Sequence, residues 1–202
     1  MNINNFNIEA AKKTFVKPRS SRRDFLTSAA TACGTVALWS LHSSLARAAE
    51  SEGMVTVIQY SPEGKKLGKV KLVRVVKSEA EWQQKLSPIS FEVARHAGTE
   101  RAYTGATWDL HDKGIFRCVC CDLAVFSSAT KFESGTGWPS FWEPIAPENV
   151  VEIKDHSMGM TRTAVSCRLC DAHLGHVFDD GPQPTGQRYC MNSAAMHFVK
   201  QA

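Results

Sequence analysis

The sequence predicts a mainly β, single-domain fold with short helices ahead of the strands and a four-cysteine zinc site. Three observations predict it. From Tyr103 onward, short β-branched and aromatic runs are broken by Gly, Pro, Asn and Asp at strand spacing. Ahead of them, Ser78-Glu79-Ala80-Glu81 and Ser87-Pro88 are helix starts. Within the β region stand two CxxC pairs, Cys118/Cys121 and Cys167/Cys170.

The chain begins with an address. Ser21-Arg22-Arg23-Asp24-Phe25-Leu26 is a twin-arginine pattern, followed by a mildly apolar run from Ala29 to about Leu45. Ala46-Arg47-Ala48 then presents small residues where a signal peptidase reads. The competing reading is a membrane anchor, but Ser40, His42, Ser43 and Ser44 interrupt the run, and a span needs about 20 apolar residues. The expectation is cleavage after Ala48, export by the twin-arginine machinery to the periplasm, and no stable membrane insertion afterwards. Residues 1–48 hold seven Lys/Arg and two acids, a net +5. The whole chain is +4, so the remaining 154 residues are −1. The basic balance therefore belongs to the address and implies no nucleic-acid partner, which requires a basic patch on the folded domain. A chain of 154 residues is long enough to bury a core.

Residues 49–77 read as an extension with strands. Val55-Thr56-Val57-Ile58 is β-branched, and Ser61-Pro62-Glu63-Gly64 is a turn signal. Val70, Leu72 and Val76 keep an even spacing that Val73 and Val75 blur. A hairpin or two edge strands is expected.

Residues 78–202 form the main domain. Ser78 is the N-cap of a first helix and Glu81 its reciprocal partner; Trp82 and Leu86 share one face. Pro88 opens a second helix, with Phe91 and Ala94 inward and Gly98 expected to end it. His96 reads as a cation in its last turn. Strand runs then follow at 114–117, 124–126, 149–153, 161–165, 176–178 and 195–199.

Cys118, Cys121, Cys167 and Cys170 supply the four-sulfur set of a structural zinc site, with 45 residues between the pairs. Two disulfides are the competing reading, since export leads to an oxidising compartment. Folded export allows the metal to be loaded beforehand, while the thiols are reduced. Zinc is favoured, because cysteines two residues apart rarely make structural disulfides. Of the six cysteines after residue 48, Cys120 and Cys190 are left over.

Cys190 lies in Arg188-Tyr189-Cys190-Met191-Asn192-Ser193-Ala194-Ala195, beside a cation that favours the reactive thiolate. Gly135-Thr136-Gly137-Trp138-Pro139-Ser140-Phe141-Trp142 is a glycine-flanked aromatic loop that can present an indole. His173-Leu174-Gly175-His176 follows the second cysteine pair; its imidazoles are free for acid chemistry if the four thiolates hold the metal.

GTGWPSFWEPI, CRLCDAHLGHVFDDGP and RYCMNSAA, in this order, closely resemble the B-type methionine sulfoxide reductases, from about Trp82 to Phe198. The resemblance implies an all-β domain of two antiparallel sheets, bound zinc, and reduction of peptide methionine-(R)-sulfoxide. It matches Cys190 to the catalytic cysteine. It also matches Trp138, His173, His176 and Asn192 to the substrate pocket, with Arg188 beside it and Phe198 a recurrent aromatic. The implied partners are oxidised protein substrates and a thioredoxin-like reductant. Thr136 is a departure, because many members carry a resolving cysteine there. Either Cys120 or an external thiol must then reduce oxidised Cys190; the external route is preferred. Alternatives are a non-catalytic zinc-stabilised module that binds oxidised methionine, and a thiol peroxidase.

Overall fold

The computed structural model describes residues 53–156 and 161–201. The twin-arginine segment and its cleavage point lie outside the described residues.

β1 (Met54–Tyr60) and β2 (Lys66–Val73) pair antiparallel as a hairpin. Gly64 N donates to Ser61 O at 3.0 Å, and its φ of 79° is the reason a glycine stands in the turn. Val55, Val57, Val70 and Leu72 pack on the core. Val73, which blurs the alternation, is 64% exposed and belongs to the outer face. Asn149, wholly buried, fastens the hairpin: its Oδ1 accepts from Ile58 N at 2.7 Å, and its Nδ2 donates to Ile58 O and Ala124 O.

α1 (Glu79–Lys85) begins with the predicted capping box. α2 (Pro88–His96) begins with Ser87 as cap and Pro88 in its first turn. It ends one residue earlier than expected: Ala97, not Gly98, takes the left-handed conformation, at φ 54°. Trp82 is buried beneath the cations of Arg95 and Lys85, at 5.1 and 5.6 Å from its ring. His96 stands in the last turn, as expected, and there bridges Glu79 and Glu92.

The remaining strands form two antiparallel sheets. β3 (Gly114–Cys118), β4 (Ala124–Ser127) and β11 (Met196–Lys200) make a three-stranded sheet in the order β11-β3-β4. The larger sheet holds β5 (Lys131–Phe132), β6 (Ser140–Phe141), β7 (Val150–Asp155), β8 (Arg162–Cys167), β9 (His173–Phe178) and β10 (Arg188–Met191). Its order is β5-β6-β10-β9-β8-β7. With the hairpin as a small third sheet, the mainly β class and both expected sheets are present.

Buried rings join the two larger sheets. Phe126 of β4 stacks on Phe141 of β6 at 4.6 Å, and Phe116 of β3 meets Phe141 edge-on at 4.9 Å. Each such ring contributes about 1.5–3 kcal/mol by burial. All six runs read as strands are strands. Three strands escape the pattern: β5 and β6 are two residues long, and β10 alternates half-buried with buried residues, not apolar with polar. Among the described residues no helix is long and apolar enough to cross a membrane.

Candidate active site and metal centre

The two CxxC pairs sit at the tips of two hairpins, β3–β4 and β8–β9, which turn alike. Asp122 N donates to Cys118 O at 2.9 Å, and Asp171 N to Cys167 O at 3.0 Å. Both aspartates take positive φ, 65° and 56°, which this residue type tolerates. The tips meet. Cys118 Sγ lies 3.6 Å from Cys170 Sγ, and Cys121 Sγ 3.5 Å from Cys167 Sγ, with all four sulfurs within 4.8 Å of one another.

A disulfide needs about 2.05 Å, so these pairs are not bonded. Four ligands about 2.3 Å from one centre stand about 3.8 Å apart, close to the spacing seen. Electrostatics agree with the geometry. Thiol donors, Cys120 first, pull Cys118 down to about 5, and the resulting thiolate pushes Cys167 well up. The quartet cannot hold four negative charges unaided. A dication removes that conflict, and four thiolates in a tetrahedron are the donor set of zinc. α1 and α2 lock the tips from outside: Lys85 Nζ donates to Cys120 O at 2.6 Å and Arg95 Nη1 to Cys170 O at 2.8 Å. Cys120 is fully buried beside the quartet, its thiol pushed up to about 12 by Cys118.

Cys190 stands elsewhere, half-buried on β10, opposite Ser140 of β6 and His176 of β9. It lines a cleft of about 140 Å³ with Trp138, His176, Asn192, Phe178 and Arg162. Thr136 Oγ1 is 3.9 Å from its sulfur. That hydroxyl is linked to Ser134 Oγ, which accepts from Ser140 Oγ at 2.8 Å. Gly175 leaves room for the strand beside it: a β-carbon there would stand 2.2 Å from Cys190 O.

Arg188 favours the Cys190 thiolate as expected, but burial opposes it. Burial pushes the Cys190 thiol up, while Thr136, Arg188 and Ser140 pull it down by less. The resting residue is a thiol whose neighbours stand ready for its anion. Arg188 is held in place: its Nε and Nη2 donate to the two oxygens of Asp180, both at 2.8 Å, and it lies 4.6 Å from the Phe178 ring.

The other predicted residues separate. Trp138 lines the cleft and its Nε1 donates to Glu100 O at 3.0 Å. Asn192 lines it too, donating to Leu174 O and accepting from Glu100 N. His176 Nε2 contacts Asp155 Oδ2 at 2.9 Å, and Arg162 Nη2 donates to the same oxygen. His173 does not line this cleft. It is buried behind His176, ring centroids 5.2 Å apart, and desolvation holds it near 4 and therefore neutral. Phe198 is not there either; it sits on β11 with its ring against Phe116 at 5.0 Å, a core contact.

Glu100 is the residue the sequence reading missed. It is buried, and its carboxylate accepts from Ser193 N and Ala194 N, holding the turn that follows Cys190 and Asn192. Standing between Thr99 and Arg101, it carries no local sign of that task. Asp155 and Arg162 likewise read as ordinary surface residues.

The SelR domain family matches residues 86–200. The peptide methionine sulfoxide reductase MsrB of Synechococcus sp. (strain RCC307) is 54% identical over 121 residues, covering 60% of this chain and 89% of that protein. The MsrB of Herminiimonas arsenicoxydans is 52% identical over 125 residues, 62% of this chain and 91% of that one. The chloroplastic peptide methionine sulfoxide reductase B1 of Arabidopsis thaliana is 51% identical over 119 residues, 59% of each. With its four-cysteine metal centre and a thiol at the base of a separate aromatic cleft, this chain belongs to the SelR family of B-type methionine sulfoxide reductases.

Proposed function

We propose that this protein reduces peptide-bound methionine-(R)-sulfoxide to methionine, with Cys190 as nucleophile. The observation that carries the reading is Cys190 in the 140 Å³ cleft, with the Trp138 indole among the lining residues and hydrogen-bonding groups around the sulfur. The indole offers the substrate methyl an apolar wall. Cys190 sulfur attacks the sulfoxide sulfur, and its proton goes to the sulfoxide oxygen, directly or through His176. The substrate S–O bond then breaks as its protonated oxygen passes to the Cys190 sulfur; methionine leaves, and Cys190 is a sulfenic acid. Because the resting thiol is protonated, nucleophile and proton arrive together.

Two external thiols then convert the sulfenic acid back to the thiol, releasing water and a disulfide. Thr136 supplies no second sulfur, and Cys120 is fully buried at the metal centre, which supports a thioredoxin-like donor. The twin-arginine pattern supports export to the periplasm and repair of oxidised proteins there. Turnover of R- and S-sulfoxide peptides with a dithiol tests the function. Activity on the R epimer alone, lost in Cys190→Ser, is expected; an inert wild type or an active serine variant defeats it.

When bound, zinc ties the two hairpin tips together. Cys118, Cys121, Cys167 and Cys170 hold it, and none of them lines the Cys190 cleft.

A further inference from the structure

Cys190, His176, Ala164 and Ile153 form one row across the larger sheet, each the direct partner of the next. Directly paired residues on antiparallel strands put their side chains on the same face. The row therefore runs along one face from the nucleophile to the edge strand β7. Ala164 makes a low point between two larger side chains. A second cavity, of about 440 Å³, includes Ile153, Ala164 and His176 of this row in its lining, with Thr99 and Arg162, and charged Arg95, Lys154, Asp155 and Asp171 at its sides. Thr99, Arg162 and His176 also line the Cys190 cleft, so the two hollows adjoin. Ile153 is 56% exposed. A single exposed isoleucine is ordinary; this one stands at the far end of a groove that begins at the reactive thiol.

We propose that the groove receives the polypeptide flanking the oxidised methionine, and that Ile153 binds an apolar side chain about four residues from the sulfoxide. This rests on the function proposed above. Three steps between neighbouring strands, about 4.8 Å each, separate Cys190 from Ile153 by about 14 Å. An extended peptide advances about 3.4 Å per residue, so four residues cover that distance. Side chains alternate along an extended chain. The fourth residue therefore faces the sheet as the sulfoxide does, and the second, about 7 Å along, falls between His176 and Ala164. The enzyme then selects oxidised methionines in apolar, extended contexts, as exposed when a strand is unfolded or damaged.

The test uses the wild-type protein and two series of R-sulfoxide peptides, with Leu, Gly or Asp four positions before or four positions after the sulfoxide. N-acetyl-methionine-R-sulfoxide is the control without flanking residues. In one series, kcat/KM for the Leu peptide should exceed that for the Gly peptide by about fivefold, the size expected from partly burying one leucine. That ratio should fall toward one in Ile153→Asp and persist in Ile153→Leu. The ratio is the readout, so a general loss of activity in a variant does not count. Equal kcat/KM for all peptides in both series, or a preference that survives Ile153→Asp, overturns the groove and leaves the function standing. Inactivity of the wild type on every substrate, the acetyl compound included, overturns the function and the groove with it.

Discussion

Thr136 Oγ1 stands 3.9 Å from Cys190 Sγ. The position next to Cys190 is thus occupied by a hydroxyl that hydrogen-bonds but cannot exchange. Thr136→Cys should convert a one-thiol cycle into a two-thiol cycle. After one turnover without reductant, the variant is expected to hold a disulfide between Cys190 and the introduced thiol, since a sulfur this close needs only a modest approach to reach bonding distance. In the wild type, dimedone should label Cys190 and no other residue. Peptide mass mapping reads both.

Arg188 lowers a thiol that burial raises. In Arg188→Ala the lowering is lost and the raising remains, so Cys190 alkylation should move to higher pH than in the wild type. Asp180 then also loses the guanidinium that holds its carboxyl below the usual range. At pH 7 kcat/KM should fall on the order of tenfold, the usual scale for losing one positioned charge. Iodoacetamide rates across pH measure the shift; an unchanged profile removes Arg188 from the mechanism.

Among the six cysteines of the described residues, Cys190 alone is both outside the metal centre and half-buried. In native zinc-loaded protein without residues 1–48, one thiol should react quickly with Ellman's reagent, and the others only after chelation or unfolding. Cys118→Ser removes a buried ligand. Structural zinc sites carry about 10–16 kcal/mol of apparent binding free energy, so the variant should lose its metal and its cooperative unfolding transition. Elemental analysis together with circular dichroism melting tests this.

Glu100→Ala leaves Ser193 N and Ala194 N without their acceptor in a buried place. The loss should cost about 2–4 kcal/mol of stability. KM should also rise, because the backbone of Glu100 holds both the Trp138 indole and the Asn192 amide. Glu100→Gln keeps one acceptor oxygen and should fall between. Urea unfolding and sulfoxide kinetics on the three proteins separate the two effects.

His173 titrates near 4 when folded, below its ordinary 6.5, because burial disfavours its cation. Its neutral form is therefore the one folding favours. The associated stability is complete above about pH 6.5 and is lost as pH falls through 4, with roughly 2 kcal/mol gone at pH 5. Zinc release in acid adds to the same trend, so the measurement is a difference. The stability of the wild type should drop more from about pH 7.5 to about pH 5 than that of His173→Gln, by urea unfolding at both values.

The short-range features of this protein are legible in its sequence. The Ser78/Glu81 capping box, Ser87-Pro88, the Gly64 turn and the two CxxC tips each depend on residues two to four positions apart, and each appears as read. Through their family resemblance, RYCMNSAA and GTGWPSF also pointed to Cys190 and Trp138, which do line one cleft. What depended on distant contacts was not legible. Glu100 reaches Ser193 across 93 positions, and Asp155 reaches His176 across 21. Only packing decided that Cys190 is raised by burial more than Arg188 lowers it, that His173 backs His176, and that Phe198 serves the core. The physical reason is range. Hydrogen bonds along a turn are set by neighbours in the chain, whereas burial and its electrostatic consequences are set by whichever strands the completed sheets bring together.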